Sequence, residues 1–340
     1  MTKTAFIAIV GCPNVGKSSI LNRLLGQKIA IVSEKPQTTR TKIMGVLTEG
    51  DTQLVFTDTP GFHRPRTKLG EKMVQAVSDS VAGVDACLFV VEPEGELRPG
   101  ELELIEKFKK MKMPVILAIN KVDTLPDKEV LMARILELSK VYDFEAIVPI
   151  SALRGINTQE LLDELKKLAE ESVFFFPEDT LTDQPERVIA AEMIREKILR
   201  NLDREIPHGV AVSIEKMRER EDSDIMDIEA VIYCEKDSHK GIIIGKNGAM
   251  LKRISTRARE DMEKFFQCHI NLRHKIDVLH AAFTECHSPV GIVFAHRRVD
   301  VKATRQFGIN YHVIFTFQRL GKVLFYTHAV EHYQVVERFL

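Results

Sequence analysis

Three things are scarce in this 340-residue chain: cysteine, long apolar runs and any surplus of charge of one sign. Its five cysteines, at positions 12, 87, 234, 268 and 286, form no Cys-x-x-Cys pair and no regular framework. That excludes a disulfide-stapled secreted scaffold and fits a reducing cytoplasm. No uninterrupted apolar stretch approaches the ~18 residues of a membrane span, and the N-terminal apolar run is too short for a signal peptide. The expectation is a protein neither exported nor threaded through a bilayer. A formal net charge of −1, from 48 basic and 49 acidic residues, means that charge has to be read segment by segment. What the chain does have is 44% hydrophobic and 29% charged residues, a soluble globular composition, at a length that suits two or three domains.

The stretch Gly11-Cys12-Pro13-Asn14-Val15-Gly16-Lys17-Ser18 directly follows the apolar run Ala5-Phe6-Ile7-Ala8-Ile9-Val10. The order is strand, glycine-cornered loop, helix. Such a loop turns its backbone N–H groups toward one anion, and the positive end of the following helix faces the same point. Lys17 is then expected to reach the β and γ phosphates of a nucleotide, and the Ser18 hydroxyl to ligate magnesium.

Residues 1–172 alternate strand-like and helix-like segments. Short apolar runs rich in β-branched residues at 53–57, 86–91, 115–119 and 146–150 read as buried strands, and amphipathic stretches separate them, one with Leu161, Leu162, Leu165 and Leu168 on a face. This is a doubly wound α/β domain whose ligands bind at the carboxyl ends of the strands. Three further motifs stand there. Asp58-Thr59-Pro60-Gly61 offers a carboxylate to magnesium through water and a glycine N–H to a γ-phosphate. In Asn120-Lys121-Val122-Asp123 the Asp123 carboxylate can accept hydrogen bonds from N1–H and N2–H₂ of guanine, a donor pair that adenine lacks. Ser151-Ala152-Leu153 is similar to the loop that supports the base carbonyl.

The ordered set GCPNVGKS, QTTR (Gln37 to Arg40), DTPGF, NKVD and SAL resembles a GTPase of the Era type, from residue 1 to about residue 273. The resemblance implies a P-loop GTPase domain with a mixed sheet, and GTP or GDP with magnesium as cofactors. Gly11, Cys12, Pro13, Asn14, Val15, Gly16, Lys17, Ser18, Asp58, Thr59, Pro60, Gly61, Phe62, Asn120, Lys121, Val122, Asp123, Ser151, Ala152 and Leu153 would line the nucleotide. It makes Ser18, Thr39 and Asp58 the metal-facing residues, with Thr39 closing over magnesium in the GTP state and Thr38 beside it. Gln37 to Arg40 also suits a plain solvated loop. Phe62 stands where many GTPases carry a water-orienting glutamine, so intrinsic hydrolysis is expected to be slow. The catalytic set becomes Asn14, Lys17, Thr39 and Gly61. In related GTPases the residue matching Asn14 helps to hold potassium against the phosphates, although asparagine equally suits a tight turn.

Residues 173–186, with two prolines and several turn-formers, read as a linker whose phenylalanines 174 to 176 pack against a domain face. From 187 the pattern changes: a helix with Ile189, Met193, Ile194 and Ile198 on one face, then strands through Val210, Val212, Ile214 and through Ile228, Ala230, Ile232, Cys234, joined by a solvated acidic loop over 219–227. Gly245-Lys246-Asn247-Gly248 follows and opens a helix with Leu251, Ile254, Ala258 and Met262 inward. This helix, hairpin, GxxG, helix order resembles an α+β type II KH domain over 187–279, whose GxxG loop clamps the backbone of about four nucleotides. Between residues 236 and 259 stand seven basic residues and one acidic, Asp237, an electrostatic footprint for nucleic acid. Lys240, Gly245, Lys246, Asn247, Gly248, Lys252 and Arg253 are the expected RNA contacts. The resemblance names the partner as the 3′ end of small-subunit ribosomal RNA and hence the 30S subunit, in the cytoplasm. It leaves a peripheral seat on the inner face of the cell membrane open.

Residues 280–340 carry no resemblance and form an unassigned tail. With residues 274–279 they hold seven of the eleven histidines and seven of the eighteen phenylalanines, a mixture that fits either a frameshifted coding stretch or a small accessory domain. The sequence assigns it no function. Cys268, His274, His280 and Cys286 match no short-range zinc pattern.

Overall fold

The computed structural model describes residues 1–35, 38–39, 42–61, 83–202 and 209–278. Gln37, Arg40, Phe62, His280, Cys286 and the tail over 280–340 lie outside the described residues. Residues 1–278 form one structural unit.

Its first sheet contains β1 (Lys3–Gly11), β2 (Ile43–Glu49), β3 (Thr52–Asp58), β4 (Ala86–Val91), β5 (Val115–Asn120) and β6 (Ala146–Ile150), in the order β2-β3-β1-β4-β5-β6. β2 runs antiparallel to β3 and the other neighbours are parallel, so the sheet is mixed as expected. Side chains alternate across a strand, and here both faces are covered. Ile7 and Ile9 of β1 join Leu88 and Val90 of β4 on one face, under helices α1 (Lys17–Leu25) and, further along the chain, one over Thr158–Lys167. Ala8, Val10, Cys87, Phe89 and Val91 join Leu104, Ile105 and Phe108 of α2 (Pro99–Met111) on the other. Two-sided burial is why β1, β4 and β5 are unbroken apolar runs. α3 (Lys128–Leu138) joins α2 on its face, and the helix over Thr158–Lys167, α4, joins α1 on the other. β2 escapes the sequence reading because Gly45 interrupts its apolar run and its end, Thr48-Glu49, is polar.

A two-residue strand, β7 (Glu170–Glu171), pairs antiparallel with the start of β1. After it Phe175 packs edge-on against Phe6 at 5.0 Å, and Gln53 Oε1 accepts from the Phe175 and Phe176 N–H groups. Phe175 and the backbone of Phe176 therefore lie against the first sheet.

The second sheet has the order β10-β9-β8, from β8 (Val210–Glu219), β9 (Ile225–Cys234) and β10 (His269–Val278). β8 and β9 are antiparallel; β10 is parallel to β9 from His269↔Ile225 to Val278↔Cys234. Three helices pack on it: α5 (Glu186–Asn201), α6 (Asp237–Ile244) and α7 (Ala249–Phe266). Ile254, Ala258 and Met262 point into this core and Leu251 is partly buried. Ile276 and Val278 pack on the same core, so the strand continues past residue 273, where the resemblance gave out. Two expectations need correction. The acidic loop expected over 219–227 is shorter than that: β8 runs to Glu219 and β9 starts at Ile225, so the turn itself is 220–224, and Asp227 pairs with Arg220 at 2.7 Å across it. And α6 precedes the GxxG turn, a helix hidden because its Gly241 and three consecutive isoleucines lack helical periodicity.

His274 on β10 bonds Ser255 through Nδ1 at 3.2 Å, while its Nε2 is buried with no partner among the described residues. Burial pushes the imidazole down from its usual 6.5 to about 4. The unfolded chain takes up this proton near pH 6.5 and the folded one only near pH 4. The fold is therefore least disturbed above pH 6.5 and weakens as pH falls from 6.5 toward 4, by on the order of 2 kcal/mol. Urea unfolding at pH 7 and pH 4.5 should show this loss in the native chain and a smaller one in His274→Asn.

Candidate nucleotide and RNA sites

β1 ends at Gly11 and α1 begins at Lys17, with Gly16 between them at φ 100°. Any Cβ at Gly16 would stand 2.2 Å from Asn120 Nδ2, so the turn requires glycine there. Lys17 is buried and its Nζ donates to the carbonyls of Gly11 (3.1 Å) and Cys12 (2.9 Å), which curls the loop around the ammonium. Burial lowers the Lys17 pKa, and the Asp58 charge opposes that. The first turn of α1 holds no acidic residue, leaving its N-terminal N–H groups to an anion. Cys12 and Val15 are buried, and burial raises the Cys12 thiol to about 11.

Beside this cradle three side-chain oxygens from three segments meet. Ser18 Oγ donates to Asp58 Oδ2 at 2.5 Å and lies 3.1 Å from Thr39 Oγ1. Asp58 Oδ1 is buried without a hydrogen-bond partner among the described residues. Burial pushes the Asp58 carboxyl up to about 6, against the pull of Lys17 and Ser18. An all-oxygen donor set around an unsatisfied buried carboxylate fits a hard divalent cation such as magnesium. Thr59 Oγ1 donates to Ile9 O at 2.9 Å, Pro60 is buried, and a Cβ on Gly61 would lie 2.6 Å from Pro13 Cα. The Asp58–Gly61 loop thus rests directly on the Gly11–Ser18 loop. Asn14, at φ 67°, donates through Nδ2 to Glu34 O at 2.7 Å, tying the loop to the segment that carries Thr39.

At the end of β5, Asn120 is buried and its amide joins two loops: Nδ2 donates to Val15 O at 2.8 Å and Oδ1 accepts from Ala152 N at 3.0 Å. Asp123 stands exposed in the 3₁₀ turn Val122–Thr124, with no hydrogen bond to it among the described residues. Lys121 Nζ pairs with Glu92 at 2.6 Å, and Glu92 also pairs with Arg98. Ser151 Oγ accepts from Arg154 N at 3.0 Å, and Leu153 is 75% exposed. Arg23 secures the loop by donating to the carbonyls of Ala152 and Leu153, both at 3.0 Å. Arg23, Glu92 and Arg98 were missed in the sequence, which gives a lone charged residue no address.

The GxxG turn spans Gly245 to Gly248 between α6 and α7. Gly245 sits at φ 71°, and a Cβ there would lie 2.6 Å from that of Met250; Asn247 is at φ 53° and Gly248 at φ 76°. Lys240, Lys246, Lys252 and Arg253 are all exposed and make no ion pair among the described residues. A shallow groove on α7 is lined by Ala249, Lys252, Arg253, Thr256, Arg257 and Glu260, which adds Arg257 to the expected set. Neither α7's first turn nor the GxxG turn holds an acid. Among the described residues no group of three histidines, cysteines or carboxylates is placed to hold a metal ion.

Residues 6–121 match the model of a family described as 50S ribosome-binding GTPase, and residues 205–281 match the KH domain. GTPase Era of Clostridioides difficile (strain 630) is 51% identical over 277 residues, covering 80% of this chain and 92% of that protein. GTPase Era of Ruminiclostridium cellulolyticum is 51% identical over 270 residues, covering 79% and 90%. Among solved structures, Era in complex with MgGDPNP and nucleotides 1506–1542 of 16S ribosomal RNA aligns at TM-score 0.77 and 36% identity, covering 83% of this chain and 95% of that one. A substituted Aquifex aeolicus Era bound to GDP·AlF4− aligns at TM-score 0.78 and 37% identity, covering 82% and 95%.

Proposed function

The chain belongs to the Era family of GTPases, and on that premise we propose that it hydrolyses GTP to GDP and phosphate, grips the 3′ end of 16S ribosomal RNA through residues 187–279, and times small-subunit assembly by its nucleotide state. The observation that carries the reading is the meeting of Ser18, Thr39 and Asp58 at the mouth of a loop that already encloses Lys17. The RNA assignment draws on the relative whose structure contains 16S ribosomal RNA. The large-subunit description attaches to residues 6–121, which end before the KH residues that would choose the RNA.

In this reading residues 1–172 form the GTPase domain and 173–186 the linker. Residues Gly11 to Ser18 wrap the phosphates, with Lys17 on the β and γ groups. Ser18, Thr39 and Asp58 would hold magnesium, whose charge offsets that of the phosphates. The Gly61 N–H meets the γ-phosphate, and Asp123 reads guanine while Asn120 and Arg23 hold the loops around the base. Lys240, Lys246, Lys252, Arg253 and Arg257 contact the RNA backbone around the GxxG turn. No helix among the described residues is long and apolar enough to cross a membrane; the cytoplasm is the location proposed from the likeness to Era GTPases.

Multiple-turnover phosphate release with and without a 16S 3′-end RNA tests the proposal. Release of many phosphates per protein supports it. GTP held without turnover would favour an RNA-binding protein that uses nucleotide only as a structural element. Potassium gives a narrower test. Asn14→Ala should abolish any potassium stimulation of hydrolysis and leave nucleotide affinity nearly intact, since the guanine and magnesium-facing residues lie elsewhere. A native protein indifferent to potassium sinks that role for Asn14.

A further inference from the structure

The described part of the segment from residue 31 to Thr39 has no helix or strand of its own, so its course is set by what it touches. It touches α5, a helix of the second domain. Val32 N donates to Glu196 Oε1 at 2.9 Å, and Arg200 Nε donates to Val32 O at 2.8 Å. Lys28 pairs with Glu196, and Lys35 Nζ donates to Leu202 O just beyond the helix. The last contact in the series lies next to Thr39: Arg195 Nη2 donates to the carbonyl of Thr38.

Arg195 is built for that contact. It is 1% exposed, far below what a solvated arginine shows. Its guanidinium is forked on Glu192, one turn earlier, through Nε at 2.7 Å and Nη2 at 2.6 Å, which removes the freedom of the long side chain. Its remaining terminal nitrogen, Nη1, is buried with no partner among the described residues. Among the described residues the cost of burying this cation is met by Glu192 and the Thr38 carbonyl. A helix of the RNA-binding half thus fixes the peptide that precedes the magnesium-facing threonine.

We propose that Arg195 is a positioning residue for the nucleotide site: by holding the Thr38 carbonyl it keeps the Thr39 hydroxyl beside Ser18, so that α5 completes the metal-facing donor set of the other domain. The inference rests on the role given to Thr39 above. A purely structural buried Arg195–Glu192 pair would, on removal, weaken the fold and every nucleotide complex alike. A positioning role discriminates between nucleotides, because Thr39 serves the γ-phosphate state alone.

The test measures the affinity of the full chain for GDPNP and for GDP across a magnesium titration, in the native protein, Arg195→Gln, Arg195→Lys and Thr39→Ala. At limiting magnesium, Arg195→Gln should bind GDPNP about tenfold more weakly while GDP affinity stays within about twofold, as expected for loss of one charge-assisted hydrogen bond acting at a distance. Arg195→Lys should recover part of the loss, since an ammonium reaches Glu192 or Thr38 but cannot fork on both. Thr39→Ala should show the same GDPNP-only loss, and the Arg195→Gln, Thr39→Ala double variant should lose little more than either alone. Equal weakening of both nucleotides by Arg195→Gln, or none, overturns the proposal. If that variant does not fold, Glu192→Gln, which loosens the fork but keeps the guanidinium, must still show a smaller loss confined to GDPNP, or the proposal fails. A Thr39→Ala protein that binds GDPNP normally would remove the reading of Thr39, and this inference with it. A Thr39→Ala effect without an Arg195 effect removes the inference alone.

Discussion

Asp123→Asn is expected to lower GTP affinity about a thousandfold and to bring xanthosine triphosphate to comparable or tighter binding, the scale on which a site built to hydrogen-bond its substrate rejects a mismatched one. In the proposed role the carboxylate would accept from both N1–H and N2–H₂ of guanine. An amide keeps one acceptor and turns a donor toward a donor, which xanthine's added carbonyl can satisfy. Asp123 is exposed and makes no hydrogen bond among the described residues, so the substitution should not disturb the fold, and melting temperature without nucleotide should stay unchanged. Competition binding with GTP, ATP and xanthosine triphosphate reads the result. Unchanged GTP affinity would remove the assignment. Asn120 offers the contrast: its amide spans Val15 and Ala152, so Asn120→Ala should loosen both loops and weaken all nucleotides without changing the preference between bases.

The second large effect concerns RNA. Gly248→Asp should weaken binding of a 16S 3′-end RNA about a hundredfold at moderate salt, by setting a carboxylate where the phosphate chain is to lie. The geometry selects this glycine over its neighbour in the motif. A side chain at Gly245 would meet Met250 at 2.6 Å, whereas at Gly248 nothing lies within 4 Å. Gly248 is at φ 76° and ψ 7°, a region that aspartate tolerates better than most residues. Gly245→Asp would therefore mix lost folding with lost binding, and Gly248→Asp isolates the binding. Lys246→Ala and Lys252→Ala should each give a smaller loss and a shallower dependence of affinity on salt. Filter binding across a salt series checks both, with RNA-free GTP turnover expected to stay near the native rate. An unaltered RNA affinity in Gly248→Asp would refute the KH assignment.

The sequence alone determined the phosphate loop, the Asp58 and Asp123 motifs, the core strands and the GxxG turn. Each is local: an apolar run, a glycine at a corner or a carboxylate at fixed spacing is legible within ten residues, because backbone sterics and strand periodicity act over that range. Only the tertiary structure decided what joins them. α5 reads as an amphipathic helix through Ile189, Met193, Ile194 and Ile198, yet Arg195, Glu196 and Lys197 are buried as well. Beyond the local pairing of Arg195 with Glu192 and of Lys197 with Glu196, their partners include Thr38 and Lys28, more than 150 residues earlier in the chain, and Asp261, 64 residues later. Asn120 likewise reads as one letter of a nucleotide motif and in the fold is the bridge between two loops. A buried charge is tolerable only where a partner waits for it, and no pattern along the chain reveals where folding will bring that partner.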